Sequence, residues 1–165
     1  MNSKYEINTK ENREFLKASC EELLNFGHRF PSPNGGSYYL GDDGTPWKDR
    51  NRETWITCRM AHVYSLGLML GHEGSGELAD AALKGLKGEL HDEKNGGWYA
   101  GVTPEGDIVP NKQCYAHAFV ILAASSALTA GRPGAKELLE EALDVYDQHF
   151  WNEEEGLACD TWNTE

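Results

Sequence analysis

An arginine stands among apolar residues on one face of a helical stretch. From about Thr54 to Leu70 the periodicity is helical, and Trp55, Arg59, His62, Val63 and Leu66 fall at i, i+4, i+7, i+8 and i+11. An unpaired buried charge is costly, so the Arg59 guanidinium must meet either a carboxylate, as a structural salt bridge, or a polar ligand. A second helical stretch, from about Gln113 to Ala130, has Lys112, Tyr115, Phe119 and Leu122 along one side, with Gln113 and His117 near its start. A tyrosine there either stacks on a sugar face and donates a hydrogen bond or packs in the core beside Phe119. His62 and His117 are candidates for acid and base, or are satisfied structural groups on apolar helices. Other catalytic signatures are missing: no glycine-rich loop follows a strand, no GxSxG elbow occurs, and no His or carboxylate cluster has metal-ligand spacing. The acidic run Glu153, Glu154 and Glu155 reads as a solvated turn.

The elements that must position these residues repeat. Gly35-Gly36-Ser37-Tyr38-Tyr39 returns as Gly96-Gly97-Trp98-Tyr99 about sixty residues later. Each is followed by a polar turn ending in glycine, Asp42-Asp43-Gly44 and Pro104-Glu105-Gly106, which predicts a small hairpin. Then comes a long apolar inner helix, the first stopping at Gly71 and the second at Gly131. A more polar outer helix completes each unit, Gly76 to Leu90 and Ala135 to Phe150, the latter with Leu138, Leu139, Ala142, Leu143, Val145 and Tyr146 as an amphipathic stripe. An earlier amphipathic helix is expected over Asn8 to Asn25, with Asn8 as N-cap and Glu11 three residues on. Residues 151–157 begin a third unit by echoing residues 91–97. The pattern predicts about five helices stacked as helical-hairpin repeats with short β-hairpins between them, an all-α class. It also predicts that residues 1–165 are an N-terminal piece, cut before a third inner helix, whose exposed inner faces would favour self-association into a homo-oligomer; the alternative is a compact five-helix domain with a frayed tail.

Composition narrows the function classes. Among 165 residues, 27 Asp and Glu stand against 15 Lys and Arg, a formal charge of −12, which repels polyanions and argues against a nucleic-acid partner. With 39% hydrophobic and 25% charged residues and no long apolar run, no membrane partner is expected. The polar stretch Met1 to Glu14 lacks the basic start and apolar core of a secretory signal, so a cytoplasmic location is expected. Cys20, Cys58, Cys114 and Cys159 are far apart, without a CxxC pair, and read as free buried thiols rather than a disulfide or metal site. Five Trp, seven Tyr and 18 Gly supply flat aromatic surface and turns, suited to sugar rings but equally to core packing.

The string from Thr54 through Ser65, TWITCRMAHVYS, followed by Gly96-Gly97-Trp98-Tyr99, Lys112-Gln113-Cys114-Tyr115 and His149-Phe150-Trp151, resembles the N-acylglucosamine 2-epimerase family. It is most similar to the aldose-ketose isomerase branch, which includes sulfoquinovose and mannose isomerases, and the likeness covers nearly everything after Phe26. The resemblance implies part of an (α/α)6 toroid and isomerisation or 2-epimerisation of a monosaccharide. In this family a proton moves next to the sugar carbonyl through an enediol, without metal or redox cofactor. It implies that Arg59 holds sugar oxygens in the pocket, that Tyr115 and Trp55 line the same cavity, and that Lys112 lies near its mouth. The acid and base are two histidines expected beyond residue 165, so His62 and His117 match other positions, and no catalytic residue is assigned within this chain. An Arg-Gly and Asn-Ala-Asn-Met-His stretch, expected soon after Trp162, is absent.

Two other readings fit a helical repeat. One is another toroidal carbohydrate enzyme such as a glycoside hydrolase, which needs two carboxylates flanking a cleft. The other is a non-catalytic module binding carbohydrate or protein on its concave face. The sequence names no sugar and does not separate isomerase from epimerase.

Overall fold

The computed structural model describes residues 3–162. After a short 3-10 turn, Ser3–Tyr5, helix α1 spans Lys10–Gly27. Its N-cap is Thr9, not Asn8: the Thr9 hydroxyl accepts from the Asn12 N–H at 3.1 Å. Asn8 instead takes φ +68°, a turn conformation that asparagine tolerates. The inner helices α2 (Thr54–Met69) and α4 (Cys114–Thr129) and the outer helices α3 (Ser75–Leu86) and α5 (Ala135–His149) follow the expected order. The two inner helices end alike. Gly71 and Gly131 take φ +81° and +68°, and the next N–H groups, of His72 and Arg132, donate to Gly67 O and Ala127 O at 2.9 Å. Helix α3 ends earlier than Leu90, because residues 87–90 turn back on Gly85 O, which accepts from the N–H of Leu90 at 3.2 Å.

Helix α2 packs between α3 and α4, and α4 packs on α5. The shared core holds Cys58, Ala61 and Tyr64 of α2, Leu83 and Leu86 of α3, Val120, Ala123 and Ala127 of α4, and Leu138 and Val145 of α5. The small residues let neighbouring helices approach closely, while Trp98 fills the space at the hairpin end with its indole N–H donated to Leu86 O at 2.7 Å. Of the cysteines, Cys58 is buried, Cys20 and Cys114 are half-buried and Cys159 is exposed, so the expectation of buried thiols holds in full only at Cys58; all four are free.

The five helices and the short β-hairpins between them are as expected, but the strands do more than close local hairpins, so the chain is not purely α. Strands β1 (Tyr39–Leu40) and β2 (Pro46–Trp47) flank the turn at 42–44. Strand β3 (Arg52–Glu53), leading into α2, pairs with β4 (Gly101–Val102), and β4 pairs with β5 (Ile108–Val109) around the turn at 104–106. Strand β6 (Lys112–Gln113), leading into α4, pairs in the same way with β9 (Thr161–Trp162), while β7 (Trp151–Asn152) pairs with β8 (Leu157–Ala158) across the 153–155 turn. The entry strand of each inner helix is thus stitched to a strand of the following unit. That stitch fixes the start of α2 and α4, where the candidate site lies.

The face of α2 carrying Val63 and Leu66 and the face of α4 carrying Tyr115 and Leu122 are exposed. No helix among the described residues is long and apolar enough to cross a membrane.

Candidate functional site

The first turns of α2 and α4 lie side by side. One turn apart on α2 are Trp55 and Arg59; one turn apart on α4 are Tyr115 and Phe119. The Arg59 Cζ sits 4.7 Å from the Trp55 ring centroid and 5.0 Å from that of Phe119, and Nη2 donates to the Tyr115 hydroxyl at 3.3 Å. Tyr115 meets Phe119 edge to face at 5.0 Å and Trp55 at a tilt at 6.1 Å. Arg59 is therefore held by ring faces and one neutral hydroxyl, worth about 0.5–1 kcal/mol per cation–π contact at an exposed site. Among the described residues it forms no ion pair. Its face is open rather than buried, so the structural salt bridge weighed from the sequence does not form, and the positive charge is available to an incoming oxygen ligand.

A second set of groups adjoins Trp55. The Glu53 Oε2 accepts from the Trp55 indole N–H at 2.8 Å and from the Tyr39 hydroxyl, whose ring meets Trp55 edge to face at 6.4 Å. Burial, and next the bond to Glu53, push the Tyr39 hydroxyl far above its ordinary range, so it remains a donor at any working pH. Tyr39, Arg50, Asn51 and Glu53 line a groove of about 370 Å³. Sequence reasoning missed Glu53 and Tyr39; the only signal was an acid at the helix start, which ordinarily reads as a charge favoured by the helix dipole.

The two histidines differ. The Ser126 hydroxyl donates to Leu122 O at 2.9 Å, which leaves its oxygen to accept from His62 Nδ1–H at 2.6 Å; the tautomer is assigned from that network. His117 is fully buried, with Nδ1–H donating to Gln113 O at 2.8 Å and Nε2 accepting from the Trp98 N–H at 3.0 Å. Both of its nitrogens are occupied, so it latches the Gly96-Gly97 turn to α4. Gly97, at φ +73°, is required there because a Cβ would stand 2.8 Å from His117 Nε2. In the first unit Thr57 does the same work, its hydroxyl accepting from the Ser37 N–H at 3.0 Å.

Burial is the main cause that lowers the His117 pKa to about 4, against its ordinary 6.5. Between those values the unfolded chain binds a proton that the folded histidine refuses, so stability falls as pH drops through this window. His117→Gln is expected to flatten the urea midpoint between pH 4 and 6.5 relative to the wild type, however stable the variant is at neutral pH.

Lys112 is not at a pocket mouth. Its side chain is 1% exposed, with Nζ donating to Asp92 Oδ2 at 2.7 Å and Gly96 O at 2.5 Å, and with the Trp162 ring 4.1 Å away. Burial opposes ionisation of Asp92, but the bonds from Lys112 and Asn95 outweigh it and hold the carboxyl far below the usual range. The structure thus brings Trp55, Arg59 and Tyr115 together and places Lys112 in a separate ion pair against the 92–97 turn.

The family model described as N-acylglucosamine 2-epimerase (GlcNAc 2-epimerase) matches residues 35–165. The chain is 40% identical over 152 residues to a D-mannose isomerase of Thermobifida fusca, covering 92% of this chain and 37% of that protein. It is 34% identical over 157 residues to a D-mannose isomerase of Pseudomonas cannabina pv. alisalensis, covering 95% of this chain and 37% of the other. The chain therefore spans well under half the length of these curated relatives. Among solved structures, a D-mannose isomerase superimposes with a TM-score of 0.81 at 25% identity, covering 94% of this chain and 39% of the other. The cellobiose 2-epimerase from Bacillus thermoamylovorans B4167 has the same fold over this region, with a TM-score of 0.79 at 24% identity, covering 92% and 41% of the two chains.

Proposed function

The chain belongs to the N-acylglucosamine 2-epimerase family, and from that premise we propose that it supplies the sugar-holding wall of a monosaccharide isomerase or epimerase. The observation that carries this reading is Arg59: a guanidinium cradled by Trp55, Phe119 and Tyr115 on an open helix face, with no carboxylate pairing it among the described residues. In aldose-ketose exchange a base removes the proton from C2 of the open-chain aldose, and negative charge develops on the carbonyl oxygen at C1. Returning the proton to C1 gives the ketose; returning it to the opposite face of C2 gives the epimer. The Arg59 fork and the Tyr115 hydroxyl donate to the oxygens on which that charge grows, and Trp55 offers its ring to the C–H face of the sugar.

His117 has no free nitrogen for proton transfer, and His62, held to Ser126 through Nδ1, matches another position of the family pattern, so the resemblance assigns the acid and base to residues outside this chain. The stitched helix pairs, read with the similar folds, support residues 1–165 as the N-terminal part of one (α/α)6 barrel domain. A glycoside hydrolase reading is disfavoured because α2 and α4 carry no Asp or Glu to flank a cleft. D-mannose is the first substrate to try. With this chain carried in a polypeptide of its relatives' full length, incubation with D-mannose in D2O is expected to give a growing ketose signal with deuterium at its C1, or deuterium at C2 of the aldose where the proton returns there, by NMR. Unchanged, undeuterated D-mannose overturns the proposal.

A further inference from the structure

Glu53 occupies the N-cap of α2 without capping it. A side chain there ordinarily accepts from N–H groups of the first turn, and glutamate is not among the favoured caps; Glu53 makes no such bond. Its carboxylate turns instead to the Trp55 indole N–H at 2.8 Å and to the Tyr39 hydroxyl. The entry strand β3 fixes the Glu53 backbone through its register with Gly101. The same indole meets the Arg59 guanidinium, 4.7 Å from its ring centroid, and the Tyr115 ring at 6.1 Å. Among the described residues Glu53 hydrogen-bonds Tyr39 and Trp55 but not Arg59, so it acts through another residue.

We propose that Glu53 is a positioning residue for the sugar platform: its carboxylate locks the plane of Trp55, and with it the seat of Arg59, by bridging the indole N–H and the Tyr39 hydroxyl. Its bearing on sugar affinity rests on the reading given above; the locking of Trp55 does not. A tryptophan held by one helix turn alone would rotate about its side-chain bonds and lose rotamer freedom on ligand binding. The charge-assisted bond to its N–H removes that freedom beforehand.

Three substitutions separate positioning from a structural role. Glu53→Gln keeps an oxygen that accepts from both donors, whereas Glu53→Ala removes it. Glu53→Asp keeps the charge and is a better N-cap, so the fold is retained, yet it is one methylene too short to reach the indole. Trp55 emission is isolated by subtracting the spectrum of the matching Trp55→Phe protein. Acrylamide quenching of that emission is expected to rise about twofold in Glu53→Ala and Glu53→Asp and to stay at the wild-type value in Glu53→Gln. The apparent Kd for D-mannose is expected to weaken about tenfold in the first two, and the loss should vanish when Trp55 is already Phe. Equal Trp55 quenching in wild type and Glu53→Asp overturns the proposal, as does a sugar effect that persists in the Trp55→Phe background. If the wild type itself gives no response to D-mannose, the sugar reading fails, and quenching alone decides the positioning role.

Discussion

Arg59→Ala is expected to lower kcat/KM for aldose-ketose exchange by about 10² to 10³, the usual loss when one preorganised donor to a developing oxyanion is removed. The measurement uses this chain carried in a polypeptide of its relatives' length, with D-mannose as substrate. The effect should fall on the chemistry rather than the fold, because Arg59 is exposed and its removal forfeits about 0.5–1 kcal/mol for each cation–π contact. Arg59→Lys is expected to recover little. A lysine restores the charge, but its ammonium replaces the planar fork that lies across Trp55 and Phe119 while bonding Tyr115. Turnover unchanged in both variants would remove Arg59 from the site.

The largest stability effect is expected at Lys112. Lys112→Met leaves the Asp92 carboxylate buried without its cation and strips a donor from Gly96 O, a change that typically costs about 3–5 kcal/mol. At about 2–4 °C per kcal/mol for a chain of this size, the thermal midpoint should drop by roughly 6–20 °C. The pair also sets an acid limit. The folded Asp92 pKa lies below its unfolded value, so its contribution is full above about pH 4 and is lost as pH falls further toward the folded value. The double variant Lys112→Met, Asp92→Leu is expected to be more stable than Lys112→Met alone, because no unpaired charge then remains. Midpoints measured by circular dichroism at pH 7 check both; a Lys112→Met protein melting with the wild type would contradict the buried pair.

The fold was readable where punctuation is chemical. Gly71 and Gly131 close the inner helices because only left-handed backbone finishes that turn, and the glycine-ended loops at 42–44 and 104–106 make hairpins. Pairings between units were not readable. The partners of β3 and β6 lie about fifty residues away, where two-residue strands leave no periodic signal. Arg59 stood out as a charge at an apolar spacing, but periodicity is the same whether a face is buried or open, so its freedom from a salt bridge needed coordinates. Lys112 was misplaced for a related reason: its partner Asp92 is twenty residues back, and a lysine beside a helix start ordinarily faces water. His117 accepts from a backbone N–H, a partner every residue offers and no motif marks. Glu53 and Trp55, two apart, point different ways on a regular helix, and they meet only because Glu53 is still extended at the end of β3.

The central claim is that Arg59, Trp55 and Tyr115 together hold a monosaccharide. Saturation-transfer NMR of D-mannose with this chain carried in a polypeptide of its relatives' full length, and with the Arg59→Ala variant of that polypeptide, tests it most directly. The account predicts saturable transfer to the sugar from the wild type and none from the variant; equal transfer from both, or none from either, would contradict it.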